Sequence, residues 1–512
     1  MTQEELIKVE VPVRKFDLLT REELIQFAIL EQKFRIKLQQ ENEYLRARAE
    51  ELKQKIIFIE DKYIVIKNKF FGKSSERSPK KSENDSNSNE NKSKKIKVQL
   101  PSARYPDAPL IERHVELEDL PMCNCCGEKM PDSGMTEDSE FLTVIPKQYF
   151  IILQMRHKYR CGKCHGDIVT APPPPRIKEG SSYSDEMMVD VGLTKYCDLV
   201  PIDRYSQMAG REGLKDLQPQ SLIETTHYLA DFTKGAYDKL KTEITQSSVL
   251  HADETPHRML EGDEKTNWYL WGFSTPKTSF FECHNTRSGD VAGNLLIESK
   301  CNYLMSDVFS GYAKAVREVN EIRAQKDEPQ ILNVYCNAHA RRKFNEAQDL
   351  FSEEAEYFID QYREIYRLED GIRGRPPDEV SQARRQMIPI FAAMKHRAMA
   401  NIAAYSSKSS MGKAMAYFLK NFEGFTLFLK NAELPIDNNP QERLLRNPVI
   451  GRKTWYGTHS KRGAQTAAIL FSLVESCKLN KVNPREYFKT LIQDLHQKKS
   501  AYTPAQFKNL SS

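Results

Sequence analysis

The sequence predicts a multidomain α+β protein, and three observations support that class. The chain has 512 residues, more than one hydrophobic core ordinarily organises, so we expect several domains. Apolar residues recur every seven positions near the N-terminus, which is the period of a helical seam. Short strand patterns begin at Ser248, and helical spacing dominates from Ala347 to Phe428. With 39% hydrophobic residues the chain falls among globular proteins and outside the disordered class.

The N-terminal segment has the heptad pattern of a coiled coil. A period of 3.5 residues keeps one seam against a partner helix, and a polar Asn42 in that seam favours a parallel, in-register dimer. We therefore expect a homo-oligomer, with an amphipathic helix packed on its own chain as the alternative. Residues 73–98, rich in Ser, Asn and Lys, predict a flexible linker. The seam consists of Leu38, Leu45, Leu52, Ile59 and Ile66 at one position and Asn42, Ala49, Ile56, Tyr63 and Phe70 at the other.

Two Cys-x-x-Cys pairs follow the linker. Each pair places two thiolates on one tight turn, which suits a structural, tetrahedral Zn²⁺ with no position left open for a substrate. The strand-like run 148–160 between the pairs would complete a zinc ribbon, although the separation is longer than usual. Cys125 is an alternative ligand, and buried free cysteines are the alternative to zinc. The predicted zinc ligands are Cys123, Cys126, Cys161 and Cys164.

Charge and hydropathy exclude a membrane or secreted protein. The N-terminus lacks an apolar signal core, and the longest apolar run, 467–474, is too short to span a bilayer. We expect a cytoplasmic protein that is nucleoid-associated when it binds DNA. The net charge is only +5, but residues 443–512 carry 13 Lys and Arg against three Asp and Glu. That local excess indicates a nucleic-acid partner, with a solvated helix face as the alternative.

The Pro-rich segment 171–176 predicts a domain boundary. Beyond it, residues 184–240 have helical spacing. Within them, 203–210 followed by 218–229 are consistent with a helix-turn-helix that enters a major groove. A plain helical packing module is an equal alternative.

From Ser248 the pattern predicts three strands, a helix, a strand, a helix and a strand. This is the order of the ribonuclease-H-like fold, in which the first and fourth strands are neighbours. Asp253 and Asp307 would then meet at one end of the sheet. Two adjacent acids need a cation, and oxygen ligands select Mg²⁺ or Mn²⁺, which supports phosphodiester displacement. The strands are predicted at 248–255, 268–273, 279–283, 301–305 and 331–336, and the helices at 290–299 and 311–323.

A third carboxylate is expected from Glu442. Asn439 is placed to cap a helix, with Pro440 at its first position and Glu442 in its first turn. The same spacing fits a capping box, which would make Glu442 structural. Glu254 and Asp437 are the nearest substitutes if one of the three acids is misassigned.

Several motifs stand in one order along nearly the whole chain. They are His251-Ala-Asp-Glu-Thr-Pro256, Ser306-Asp-Val-Phe-Ser-Gly-Tyr312, Cys336-Asn-Ala-His-Ala-Arg-Arg-Lys-Phe344, Asp437-Asn-Asn-Pro-Gln-Glu-Arg443 with Gly451-Arg-Lys453, and Phe71-Gly-Lys-Ser-Ser-Glu-Arg77. Together they resemble the insertion-sequence-66 family of transposases. The resemblance implies that Asp253, Asp307 and Glu442 form a DDE triad, and that a helical insertion precedes Glu442. It also implies that the protein binds the terminal inverted repeats of its own element, frees 3′-hydroxyl ends and joins them to target DNA, with accessory proteins encoded by the same element as further partners.

The sequence departs from the family at two positions. Asn337 stands where an aromatic residue is usual, and Val308 stands where Gly or Ala is commoner. Neither change removes a metal ligand. The pair Cys336 and His339 invites a second zinc, which we do not predict because no second pair of ligands is evident in the sequence.

Basic residues near the motifs are predicted to contact DNA phosphates, with aromatic side chains stacking on an unpaired base. Two other functions remain open: a non-catalytic DNA-binding protein derived from a transposase, and a nuclease of the same fold that cuts without joining. The predicted DNA contacts are Arg341, Arg342, Lys343, Arg443, Arg446, Arg452, Lys453, Trp455, Lys461 and Arg462, with Tyr456 beside Trp455.

The predicted parts follow one another along the chain. They are a helical coiled coil (1–72), a flexible linker (73–100), a zinc ribbon (101–176), a helical region that is a DNA-binding candidate (177–245), the first part of the ribonuclease-H-like catalytic core (246–345), a helical insertion (346–435), the second part of the core with the third carboxylate (436–480) and a basic C-terminal region (481–512).

Overall fold

The computed structural model describes residues 20–71, 100–115, 119–130, 138–144, 147–161, 168–260 and 267–511. The chain divides into two compact units. The larger unit contains 1–74, 173–205 and 218–512, and the smaller contains 75–172 and 206–217. One division falls after Pro172, inside the Pro-rich segment 171–176. The mixture of helices and strands confirms the predicted α+β class.

The elements are numbered in chain order. The helices are α1 (Arg21–Phe71), α2 (Pro101–Arg104), α3 (Asp185–Tyr196), α4 (Ile202–Arg211), α5 (Pro219–Thr245), α6 (Asp290–Ile297), α7 (Ser310–Gln325), α8 (Asn337–Asn345), α9 (Ser352–Gly371), α10 (Pro377–Arg384), α11 (Met387–Asn401), α12 (Ser410–Lys420), α13 (Phe422–Thr426), α14 (Asn439–Trp455), α15 (Lys461–Leu479), α16 (Pro484–His496) and α17 (Pro504–Ser511). The strands are β1 (Lys158–Arg160), β2 (Ile168–Thr170), β3 (Val249–Arg258), β4 (Asn267–Ser274), β5 (Ser279–His284), β6 (Tyr303–Ser306) and β7 (Leu332–Tyr335).

The larger unit is built on a five-stranded sheet with the order β5-β4-β3-β6-β7. β3, β4 and β5 form an antiparallel meander, and β6 and β7 run parallel to β3. The elements follow one another in the predicted order, and β3 and β6 are neighbours as expected. These strands were predictable from the sequence because successive side chains of a strand point to opposite faces of the sheet.

The edge of β5 is covered by helices of the larger unit. Ser472 and Ser476 on α15 accept hydrogen bonds from the backbone N–H groups of Phe281 (2.8 Å) and Ser279 (3.0 Å). Tyr237 on α5 donates its hydroxyl proton to the carbonyl of Phe281 at 2.8 Å. An uncovered edge strand would expose unpaired backbone groups, so these buried hydroxyl groups close the sheet on this side.

A second hydrophobic core lies under the predicted insertion. Helices α9 to α13 bury their apolar residues against α8 and against side chains of β6 and β7. Adjacent residues of β6 contribute to different cores. Leu304 lies in the first core, which joins the sheet to α5 and α15, and Met305 lies in the second. Phe344 on α8 stacks on Phe358 of α9, with ring centroids 4.2 Å apart. The insertion is therefore packed onto the sheet.

The N-terminal helix α1 is continuous over 51 residues. Of the predicted seam, Leu38, Leu45, Leu52, Ile56 and Ile59 are exposed in the single chain. Asn42 donates its amide to the carbonyl of Leu38 in the same helix (3.1 Å). The helix is established, while its pairing with a second chain stays a prediction. The side chains of Tyr63, Ile66 and Phe70, and residues 73–98, lie outside the described part.

The smaller unit contains the first cysteine pair. The N–H of Gly127 donates to the carbonyl of Cys123 at 2.8 Å, and Gly127 has φ of 80°, a conformation that suits glycine. The predicted long strand over 148–160 is wrong. Only Lys158–Arg160 is a strand, because its partner β2 spans just three residues. Cys161 is described, whereas Cys164 lies outside the described residues.

The candidate helix-turn-helix region contains helices α3, α4 and α5. Residues 212–218 connect α4 to α5, longer than the three or four residues usual for that motif. One face of α5 is built into the first core through Leu229, Leu240 and Ile244. These features favour the packing-module alternative. No helix in the described part of the chain is both long and apolar enough to cross a membrane.

The C-terminal residues belong to the larger unit. Tyr487 and Leu491 of α16 lie in the first core. Arg485 pairs with Asp190 of α3 at 2.7 Å. Part of the local excess of basic residues is thus balanced inside the fold.

Candidate metal centre

Strand register brings the first two predicted acids together. β3 and β6 pair in parallel with His251 opposite Met305. Asp253 lies two residues beyond His251, and Asp307 lies two residues beyond Met305. Because neighbouring strands are about 4.8 Å apart and side chains alternate, both acids lie at the same height of the sheet and on the same face. Both are half-buried.

The third acid, Glu442, is in the first turn of α14, as predicted. The helix begins one residue earlier than expected, with Asn438 as its N-cap, and no side chain makes a capping hydrogen bond there. Glu442 is therefore the fourth helical residue and does not complete a capping box. Its Oε1 atom is buried and has no hydrogen-bond partner. This geometry is evidence against the capping-box alternative for Glu442.

Asn438 joins three elements of the site. Its side-chain amide donates to the carbonyl of Ala252 on β3 at 2.9 Å, and its Oδ1 accepts from Nδ1 of His251 at 2.8 Å. Its backbone N–H donates to Sγ of Cys336, at the end of β7, at 3.2 Å. These buried contacts fix the start of α14 beside Asp253. We call this set of contacts the Asn438 cross-link.

The acids repel one another. The pKa of Asp253 is raised to about 8. Burial is the largest cause of this rise, and the negative charges of Glu254, Asp307 and Glu442 add to it. One backbone N–H, that of Glu254, opposes the shift by donating to Oδ1 at 2.9 Å. A carboxyl group whose pKa is raised so far by burial and by neighbouring negative charges marks a candidate functional site.

Glu254 has partners of its own. Its carboxylate accepts from the hydroxyl of Tyr312 at 2.6 Å and from Nε of Arg287 at 2.8 Å. Burial nevertheless raises the pKa of Glu254. The Arg287 guanidinium also lies 4.2 Å from the centroid of the Phe309 ring, and about half of the side chain is exposed. Glu254 therefore holds an arginine at the rim of the acidic site.

Cys336 and His339 also lie near Glu442. The ligand atoms of these three residues lie within 4.8 Å of one another, the one such group among the described residues. Asp253, Asp307 and Glu442 do not form so tight a group. The substitute Asp437 is satisfied within the chain by Asn439 and Tyr366.

The predicted DNA-contacting residues have different surroundings. Arg452 approaches Thr255 at 3.4 Å. Arg462 pairs with Glu224 (3.2 Å) and Asp231 (3.1 Å). Arg443, Arg446, Lys453, Lys461 and Arg462 are exposed, and Arg341, Arg342, Lys343 and Arg452 are half-buried.

The two aromatic residues after α14 differ. The Trp455 ring packs edge-on against Tyr196 with centroids 6.3 Å apart, and its six-membered ring lies close to Gly451. Tyr456 is 73% exposed and has φ of 65°. Of the pair, Tyr456 is the side chain presented to a ligand.

Sequence reasoning did not single out Asn438, His251, Arg287 or Tyr312 as part of the site. For Asn438 and His251 there was a signal, because each is within four residues of a predicted acid in a recognised motif. Arg287 and Tyr312 become neighbours of Glu254 only through the fold.

The fold and the acidic site define a mixed α+β protein with a group of carboxylates at the end of a sheet. The profile of the Transposase IS66 family matches residues 180–466, more than half of the chain, and the chain belongs to this family of transposases.

Similar proteins include two from Sinorhizobium fredii. The uncharacterized protein y4hP is 27% identical over 401 residues, which cover 74% of this chain and 71% of y4hP. The uncharacterized protein y4jD is 25% identical over 384 residues, covering 72% of this chain and 74% of y4jD.

Proposed function

We propose that this transposase is a DDE enzyme with a ribonuclease-H-like catalytic domain. It would bind the terminal inverted repeats of its own insertion sequence, cleave DNA and transfer the freed strand to target DNA. One observation carries the proposal: Asp253 and Asp307 each lie two residues beyond a paired position of the adjacent parallel strands β3 and β6, and the Asn438 cross-link fixes the helix of Glu442 to β3.

The residues fit Mg²⁺ or Mn²⁺. All three donors are carboxylates, which hard cations prefer. The raised pKa of Asp253 and the unpartnered Oε1 of Glu442 are what a cation would relieve. When bound, the metal would activate the attacking oxygen and stabilise the leaving oxygen of an in-line displacement.

The chain's own residues would orient the DNA. Asp253, Asp307 and Glu442 would hold the metal, and Arg287, fixed by Glu254, offers its exposed face to a phosphate. The exposed basic residues that follow Glu442 would bind the backbone of the DNA. Tyr456, more than Trp455, is placed to stack on an unpaired base.

The remaining parts are proposed in supporting roles. The exposed seam of α1 suits a homodimer. The turn at Cys123 and Gly127 suits one half of a structural zinc site, and hydrogen bonds from the backbone of Cys125 and Cys126 lower the pKa of the Cys123 thiol, which favours the thiolate. Accessory proteins of the same element are further proposed partners, and the cytoplasm and nucleoid are the proposed location.

The test is cleavage and joining of labelled element ends by the purified protein with Mg²⁺ or Mn²⁺. Asp253→Asn and Glu442→Gln are expected to lose both products. Glu475→Gln is the control, because Glu475 is also a carboxylate on a helix of the larger unit but pairs with Asn447 and Lys478.

The outcomes separate the alternatives. Joined product that persists in Asp253→Asn and Glu442→Gln would contradict the triad. Cleavage without joining would indicate a nuclease, and binding without cleavage under every metal condition would indicate a DNA-binding protein only.

A further inference from the structure

Two buried polar atoms beside the acidic site face each other without hydrogen bonds. They are Nδ1 of His339 and Oε1 of Glu442, 3.6 Å apart. Buried polar atoms are nearly always paired, so two orphans in one place need an explanation. Their separation is too long for a hydrogen bond. It is close to the roughly 3.4 Å that separates two ligands held about 2.1 Å from a tetrahedral ion.

A thiol completes this arrangement. Sγ of Cys336 lies within 4.8 Å of ligand atoms of both His339 and Glu442. The sulfur is buried and accepts the backbone N–H of Asn438 at 3.2 Å. Burial raises the pKa of the Cys336 thiol to about 12, and this hydrogen bond opposes the rise. The metal would displace the thiol proton on binding.

The donor set decides which metal fits. Cysteine and histidine suit Zn²⁺, whereas Mg²⁺ takes carboxylate and water oxygens. Glu442 is close to two groups of different chemistry: its charge acts on Asp253, and its carboxylate is near Cys336 and His339. With three protein ligands, a zinc ion would keep one open position.

We propose that Cys336, His339 and Glu442 form a Zn²⁺ site, separate from the cysteine pairs, and that zinc there competes with the catalytic metal for Glu442. The competition rests on the proposed function. The zinc site itself does not.

Zinc binding is measured on the full-length protein after metal removal and titration with Zn²⁺. Cys336→Ser and His339→Ala are each expected to bind one ion fewer per chain than the unchanged protein, or to bind that ion at least about tenfold more weakly, since even loss of an outer partner has such an effect. Cys301→Ser is the matched control, because Cys301 is equally buried but donates only to the carbonyl of Tyr303.

Cobalt supplies a direct signature. Co²⁺ bound to a thiolate gives a charge-transfer absorption, and its amplitude per chain is expected to fall in Cys336→Ser and to remain in Cys301→Ser. His339→Ala guards against misfolding, since the His339 side chain is 25% exposed and its loss disturbs packing little. Equal zinc stoichiometry and affinity in folded Cys336→Ser, His339→Ala and unchanged protein would overturn the site.

Competition is measured separately. Zn²⁺ is expected to inhibit Mg²⁺-dependent cleavage of element ends, and the ratio of rates with and without Zn²⁺ is expected to approach one in His339→Ala. Cleavage that zinc does not affect, in protein whose zinc count falls in Cys336→Ser, would overturn the shared role of Glu442. If no cleavage occurs with Mg²⁺ at all, the proposed function fails while the zinc count still decides the site.

Discussion

At the scale of single residues, Asn438 determines more of the site than its sequence position suggests. Asn438 is nearly fully buried, and both polar atoms of its side chain form hydrogen bonds with residues of β3. Because the amide donates to the carbonyl of Ala252, the Oδ1 atom accepts, and His251 must then carry its proton on Nδ1. The orientation of one amide thus sets the tautomer of one imidazole.

Replacing Asn438 by Ala should separate α14 from β3. The change leaves the Ala252 carbonyl and Nδ1 of His251 buried without partners, at about 1–3 kcal/mol each. A shift of Glu442 by about 1 Å would lower cleavage about 100-fold. Cleavage of element ends and the midpoint of thermal unfolding measure the two effects.

Asn439→Ala is the control for this change, because Asn439 contacts Asp437 and not β3. Equal losses of activity in the two variants would show that the Asn438 cross-link has no special importance.

The acidity of Asp253 predicts how metal binding depends on pH. With a pKa raised to about 8, folded Asp253 keeps its proton over a range in which the unfolded chain, with a pKa of about 3.9, has lost it. The metal-free protein should therefore lose stability as pH rises from about 4 to about 8. Mg²⁺ needs the ionised acid, so its affinity should increase over the same range.

Thermal unfolding with and without Mg²⁺, at about pH 6 and about pH 8.5, tests this linkage. The rise in the unfolding midpoint caused by Mg²⁺ should be larger at the higher pH and should vanish in Asp253→Asn. An equal rise at both pH values would be evidence against titration of Asp253.

Residue-level reasoning from sequence had a clear limit at Glu442. Asn439 followed by Glu442 has the spacing of a capping box, and nothing in the sequence decided between a cap and a ligand. The structure argues against the capping box, because the N-cap is Asn438 and its side chain is turned to β3. Only contacts between residues distant in sequence carry that information.

At the scale of elements, α14 lies against the sheet through a position that lacks a side chain. Gly272 on β4 is paired with Asp253, and a Cβ added there would lie 2.2 Å from Nε2 of Gln441 and 2.9 Å from Cε1 of Phe281. Gln441 is fully buried, so it has little room to move. The close approach of helix and sheet requires this glycine.

Gly272→Ala is expected to push α14 outward. Overpacking of this kind costs about 1–3 kcal/mol, and displacement of Glu442 should lower cleavage more than the fall in stability explains. Cleavage rate and thermal midpoint are measured together. Gly293→Ala on α6 is the control, since its added Cβ would lie an acceptable 3.9 Å from Ala315.

Full activity in Gly272→Ala, together with a lowered thermal midpoint, would mean that the position of α14 tolerates movement and that Glu442 is not a precise ligand.

Elements were predictable to different degrees. β4 and β5 lie within one or two residues of their predicted bounds, because apolar alternation and turns mark them. The prediction of a strand over 148–160 was wrong, because a strand needs a paired neighbour and β2 spans only three residues. The core beneath the insertion was not predictable in detail, because Met305 and Val334 of the sheet contribute to it.

At the scale of the whole molecule, α1 leaves an apolar seam exposed in the single chain. If the seam pairs with a second chain, Leu45→Glu with Leu52→Glu should convert a dimer to a monomer, since charges in a heptad seam oppose pairing. Sedimentation equilibrium measures the mass.

Gln40→Glu with Ala47→Glu is the control for the seam, because these residues are exposed and lie at the heptad position opposite it. A mass that does not change in the seam variant, or that changes equally in both variants, would reject pairing through α1.

Asn337 connects the two ends of the predicted insertion. Its backbone N–H and its side-chain amide both donate to the carbonyl of Ile436, at 3.2 and 3.1 Å. Asn438, two residues after Ile436, donates its backbone N–H to Sγ of Cys336. The chain therefore leaves the sheet and returns to it at almost one point.

Because the two ends of the predicted insertion meet, the number of residues between Asp307 and Glu442 does not determine where Glu442 lies. The step from Asp307 to Glu442 is 135 residues, yet the location of Glu442 depends on hydrogen bonds at the base of the insertion and not on the length of chain above them. Evolution is free to lengthen, shorten or exchange that segment without moving the third acid. A search for distant relatives that fixes the interval between these two acids would consequently reject proteins whose centre is the same.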